Sequence, residues 1–106
     1  MTHFLLVQLR LKSGAENLRR YTNALPGLRD VFASQGIVLR QAVLTRVGPL
    51  HEAFHLWQVD DQGHFARAQE GIFAHPDAGR IAAELGTVVE SEQTRFVESV
   101  PLPLPE

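Results

Sequence analysis

His55 and Trp57 stand two residues apart in the run Glu52-Ala53-Phe54-His55-Leu56-Trp57, just after a Gly48-Pro49-Leu50-His51 turn. Alternate residues of a strand share one face. The imidazole and the indole are therefore expected to point into the same space. A histidine titrates near neutrality and can serve as a general base or hydrogen-bond donor. A tryptophan offers a flat wall to an aromatic ligand. The same pair also suits a plain core, with Trp57 filling volume and His55 bonded to backbone. His51 sits in the turn itself, where loops often carry function.

Arg46 and Arg95 fall in strand-like segments and could hold a carboxylate or enolate through two parallel hydrogen bonds. Arg40 and Arg46 are expected on one face of the second strand, with Ala42 and Leu44 between them. Ion pairs with Glu52, Glu92 or Glu98 are the alternative use of these cations. Tyr21 lies on the inward stripe of the first helical segment and could place its hydroxyl over a space between helix and sheet. His3, His64 and His75 are scattered, there is no His-x-x-x-His, and Cys is absent. No metal site or cofactor is expected from that pattern. The chain also lacks a glycine-rich phosphate loop, a nucleophile elbow and paired catalytic carboxylates.

The elements that must position these residues read as β-α-β-β-α-β, a ferredoxin-like α+β order with a four-stranded antiparallel sheet. Residues 3–12 alternate, with Leu5, Val7, Leu9 and Leu11 on one face and Phe4 and Leu6 on the other. Residues 15–35 carry Leu18, Tyr21, Leu25, Leu28 and Phe32 at helical spacing, and Pro26-Gly27 is expected to kink or split this helix. Gly36 is a suitable C-terminal cap. Residues 37–47 and 52–60 form a hairpin. Asp60 or Asp61 is expected to cap a helix over 62–74, with Phe65, Ala68, Ile72 and Phe73 inward. A short helix ending at Gly86 follows, then a strand over 92–100. Residues 101–106 are a Pro-rich tail that cannot pair as a strand.

At 106 residues the chain makes one domain, 1–100, with no room for a second. A formal net charge of −2 gives no reason to expect nucleic acid or an anionic membrane as partner. The start of the chain has no basic region before its apolar run, so no signal peptide is expected. Without Cys the composition fits a reducing compartment, and a cytoplasmic location is expected. Two helices cover only one face of a four-stranded sheet. Phe4, Leu6 and their neighbours would then form an exposed apolar patch, which a second copy placed sheet to sheet would bury as a two-fold homodimer.

Several motifs together resemble the NIPSNAP family of the dimeric α+β barrel superfamily. They are Leu11-Lys12-Ser13-Gly14, Leu25-Pro26, Gly48-Pro49-Leu50 followed by His55-Leu56-Trp57 and Asp60, His75-Pro76-Asp77, and Ser91 through Arg95. The resemblance implies two sheets facing each other in a dimer, with helices outside. Related barrels include cofactor-free monooxygenases, haem-handling enzymes and isomerases, so the fold leaves the reaction open. Some positions depart from the family pattern. Leu5, Val7 and Leu9 replace an acid, an arginine and a tyrosine. Val59 replaces a tyrosine, Ala78 stands where an aromatic is usual, and Gln93 takes the place of an acid. If these positions lie in the core, the departures are repacking only; if they line a cavity, it is roomier and more apolar than usual, with Ala78 as part of its wall.

Two functions of different class follow. One is a cofactor-independent enzyme that acts on an apolar or aromatic metabolite by acid–base chemistry, through oxygenation, cyclisation or isomerisation. In that reading His55 is the acid–base group, Arg95 or Arg46 the electrostatic stabiliser, and Trp57, Tyr21, His51 and Ala78 the substrate contacts. The other is a non-catalytic dimeric binding or interaction protein. A continuous void beside His55 would discriminate between them.

Overall fold

The structure is a computed structural model that describes residues 1–102. The proposed tail therefore lies largely outside the described residues. The elements run β1 (His3–Leu11), α1 (Ala15–Ala33), β2 (Val38–Leu44), β3 (Glu52–Val59), α2 (His64–Ala74), α3 (Ala78–Gly86) and β4 (Val89–Glu98). The four strands form one antiparallel sheet in the order β2-β3-β1-β4. This is the ferredoxin-like α+β arrangement expected from the sequence, with the second helical segment split at His75-Pro76-Asp77.

Alternation in β1 and β3 sets the two faces. Val7, Leu9 and Leu11 are buried, as are Ala53, His55, Trp57 and Val59. Val7 pairs with His55 and Leu5 with Trp57, and partners across an antiparallel pair share a face. This face packs on α1, α2 and α3, whose buried contributions include Tyr21, Val31, Ala68, Ile72 and Ile81. On the other face Leu6 pairs with Leu56, Phe4 with Gln58 and Gln8 with Phe54. No helix covers it, and Phe4, Leu6, Phe54 and Leu56 remain half-buried.

Local chemistry explains where elements stop. Gly14, Gly36 and Gly48 all have positive φ, the region that costs glycine least. At the end of α1 the Ile37 N–H reaches the Phe32 carbonyl and the Gly36 N–H the Ala33 carbonyl, so Gly36 closes the helix as expected. Pro26 does not end α1, which continues to Ala33. Pro26 is exposed, so water can solvate the carbonyl one turn back that lost its N–H partner. Gly27 instead serves as a contact point. A Cβ there would sit 2.8 Å from Ile81 Cδ1, so its absence lets α3 approach α1.

Four further expectations need correction. β2 ends at Leu44, and a register shift between Leu39 and Gln41 places Arg40 at a bulge. Arg40 donates from Nε to Gln58 Oε1 at 2.6 Å, on the uncovered face, so it does not share a face with Ala42 and Leu44. Arg46 lies beyond the strand, in the loop to β3. Phe73 is 74% exposed rather than inward. Neither Asp60 nor Asp61 is the N-cap of α2; Gly63 takes that position, and Asp61 accepts from the Gly63 N–H and from Arg67. β4 starts at Val89, three residues earlier than the alternation indicated, because its two faces differ little in polarity.

Candidate functional site

His55 is 2% exposed and Trp57 equally so. Both sit on the covered face because β3 alternates Ala53, His55, Trp57 and Val59 inward. Nearly two turns into α1 (Ala15–Ala33), Tyr21 projects down onto the same row. Its Oη lies 2.5 Å from His55 Nε2, and the two ring planes differ by 16°. Trp57 stands edge-on to the imidazole at 5.9 Å between centroids and leans on Phe32 at 4.7 Å. These contacts fix the imidazole in one orientation from two sides.

Burial controls the charge state of this pair. Loss of hydration disfavours imidazolium and phenolate alike. It pushes His55 down to about 4 and Tyr21 up to about 12. At neutral pH both partners are uncharged. Either the phenol donates to Nε2 or Nε2–H donates to the phenol oxygen. These are the two tautomers of a neutral imidazole; full transfer of the proton from Tyr21 to His55 would create a buried phenolate beside a buried imidazolium, which burial disfavours.

Beside this pair is a cavity of about 370 Å³. Val7 and Leu9 of β1 form its floor, Leu28 and Phe32 of α1 one wall, and Leu85 of α3 another. Only two of its lining side chains are polar, His55 and Glu92. Glu92 pairs with Leu9 across β1 and β4, which brings it to the covered face. Its Oε1 accepts from Thr94 Oγ1 at 3.1 Å.

The other sequence-predicted residues do not converge here. Arg95 pairs with Leu6 and so stands on the opposite face from His55. Arg46 and His51 line a separate surface depression of about 190 Å³ beside Leu18, Leu44 and Leu50. The expectation that either arginine stabilises charge next to His55 is therefore not met. His51 adopts φ 67°, and its carbonyl accepts from the Leu11 N–H at 2.8 Å, which ties the turn to β1. Ala78 lies in a small apolar cleft among α1, α2 and α3 with Phe65, Ile72 and Phe73. Trp57 and Tyr21 act on the His55 ring rather than as the cavity's lining. Sequence reasoning did not single out Leu28, Phe32 and Leu85 as cavity wall, because an apolar helical stripe looks the same over a filled core and over a void.

His64 is buried and fully engaged. Its Nδ1 accepts from the Asp60 N–H at 2.9 Å and its Nε2 donates to the Gln35 carbonyl at 2.9 Å. Both ring nitrogens serve structure, so this helical histidine has no lone pair left for haem iron. Among the described residues no three His, Asp or Glu side chains come together to hold an ion, and no helix is long and apolar enough to cross a membrane.

Fold and site thus define a ferredoxin-like α+β domain with a partly open cleft on its covered sheet face. Known structures place this fold more closely. An uncharacterised NIPSNAP domain protein from Burkholderia xenovorans superposes with a TM-score of 0.77 at 19% identity, over 97% of this chain and 99% of that one. A dimeric ferredoxin-like protein from an uncultured marine organism gives a TM-score of 0.64 at 14% identity, over 97% and 93%. A candidate antibiotic biosynthesis monooxygenase from Deinococcus radiodurans gives 0.64 at 14%, over 100% and 99%. The resemblance to NIPSNAP proteins therefore holds in three dimensions, as a likeness of fold. No protein-family model matches the sequence, and no curated protein does either.

Proposed function

We propose that this chain binds an apolar or aromatic small molecule in the cavity beside His55 and acts on it by acid–base chemistry without a cofactor. The observation that carries this reading is a cleft of about 370 Å³ with His55 at its wall, its ring held from behind by Tyr21. That volume lies in the range of ligand pockets, and the cleft is open enough at Gly86 and Glu92 to admit a ligand. A neutral imidazole that donates its Nε2–H to the Tyr21 oxygen keeps Nδ1 as the acceptor for a proton from bound substrate, and Tyr21 holds that tautomer in place. Oxygenation, cyclisation and isomerisation of an activated C–H or O–H compound all need such a step. The monooxygenase candidate among the similar structures is consistent with the first.

The reading includes a homodimer through the uncovered sheet face. Support comes from half-buried Phe4, Leu6, Phe54 and Leu56 on that face and from the dimeric neighbour of the same fold.

A binding protein without catalysis is the second reading. It is favoured by the separation of Arg95 and Arg46 from His55, which leaves no cation to stabilise a developing anion there. Native mass spectrometry of protein purified without added ligand tests the shared premise. A co-purified molecule is expected, and it should be lost when Leu85→Trp fills the cavity. An empty wild type that also ignores a library of small aromatics would remove both readings. With the ligand in hand, His55→Gln separates them. Catalysis is expected to fall by roughly 100-fold with the fold intact, whereas a pure binder keeps its ligand and shows no reaction to lose.

A further inference from the structure

We infer that the ligand of this cavity is an apolar amine, whose cationic head sits at Glu92 while its ring lies against His55. The inference rests on the small-molecule reading of the same cavity and specifies its ligand class.

The charge inventory points that way. Glu92 is the only ionisable lining group besides His55, and His55 is neutral near pH 7 because burial holds it down to about 4. Arg95 is on the other sheet face, and Arg46 is in a different depression. The salt bridges of the described residues do not include Glu92. A bound carboxylate or phosphate would meet one negative charge and no positive one. A cation would meet an acceptor already fixed by Thr94 Oγ1.

Register supplies the geometry. Val7 pairs with His55 on one side and with Thr94 on the other. Glu92 lies one same-face row further along, paired with Leu9. Two strand spacings of about 4.8 Å and two residues of about 3.3 Å rise put the His55 and Glu92 Cα atoms about 12 Å apart. Leu9 and Leu28 lie among the apolar residues of the space between. The site therefore has a carboxylate at the edge strand, an apolar middle and a neutral hydrogen-bonding end. An aromatic ring on a two- or three-atom tether to an ammonium group matches that order.

Three probes of equal shape test this: phenethylamine, phenethyl alcohol and hydrocinnamate. Each is titrated at low ionic strength into wild type and Glu92→Gln, with His55 ring signals followed by NMR. Glu92 is exposed, so the amide should leave the fold intact. Attraction of the amine and repulsion of the acid by one partly solvated carboxylate should together give the amine about tenfold tighter binding than hydrocinnamate. In Glu92→Gln that gap should shrink to twofold or less, with the alcohol unchanged. Equal binding of amine and acid to wild type, or an unchanged gap in the variant, would overturn the assignment. If the alcohol still shifts His55 in that case, the cavity reading survives; if none of the three shifts it, both readings fail.

Discussion

The two faces of one sheet are built from the same strands, residue by residue in alternation, yet they end up with different physics. The covered face gathers Val7, Leu9, His55 and Trp57 beneath the helices, strips His55 of water and leaves a cleft beside it. The uncovered face gathers Phe4, Leu6, Phe54 and Leu56 with Arg95, and leaves all of them in partial contact with solvent. A one-residue change of parity decides whether a polar side chain becomes a perturbed group in a cavity or an ordinary charge on a surface. His55 and Arg95 fall on opposite sides of that divide. The contrast shows why proximity in a strand pattern does not make a site.

The largest effect that would break this contrast lies at Trp57. Trp57→Ala removes a buried ring braced against Phe32 and should lower unfolding free energy by about 3–5 kcal/mol, read by denaturant titration. Leu6→Asp, on the uncovered face, should instead leave the protomer folded and convert the proposed dimer to a monomer in light scattering. Equal losses of protomer stability from the two changes would mean that the faces are not distinct.

A smaller effect comes from the neutral pair. His55 has a folded-state value near 4 against an ordinary 6.5, so between those pH values the unfolded chain binds more protons. Its contribution is fully present above about 6.5 and is lost as pH falls toward 4, by at most about 3 kcal/mol. Tyr21 stands near 12 against an ordinary 10, so above pH 10 the native state retains a proton that the unfolded chain gives up. Stability should therefore fall again between 10 and 12. Tyr21→Phe should abolish the alkaline limb, keep an acid limb, and cost about 1–3 kcal/mol at neutral pH by leaving the imidazole nitrogen without its partner. Thermal unfolding across pH measures all three. A wild type whose stability is flat from pH 4 to 6.5 would place His55 in water.

The smallest expected effect is at Arg95. It is exposed on the uncovered face, so Arg95→Ala should change protomer stability by less than about 0.5 kcal/mol and leave ligand binding at His55 untouched. Loss of cavity binding in this variant would return Arg95 to the site.

Much of this arrangement was legible in the sequence. The alternation of β1 and β3 is strong because one parity is nearly all apolar, so the shared face of His55 and Trp57 and the inward stripe with Tyr21 could be read directly. β2 was not legible past Arg40, because a bulge resets parity without a residue signature. β4 was not legible either. Glu92, Thr94 and Phe96 differ little in polarity from Gln93, Arg95 and Val97, so only the pairing with β1 decides which set faces the helices. Pro26 read as a break because its exposure depends on tertiary packing. The cleft itself had no signature, since volume left unfilled is a property of the packed layers and not of any one segment.

The central claim is that His55 faces a cavity that admits a small molecule. The most direct measurement follows the nitrogen resonances of the His55 ring while phenethyl alcohol, a neutral probe, is added at pH 7. Saturable shifts at His55, with Arg95 side-chain signals unmoved, are the expected result. A His55 ring that stays silent at saturating probe, while the protein remains folded, would contradict the claim.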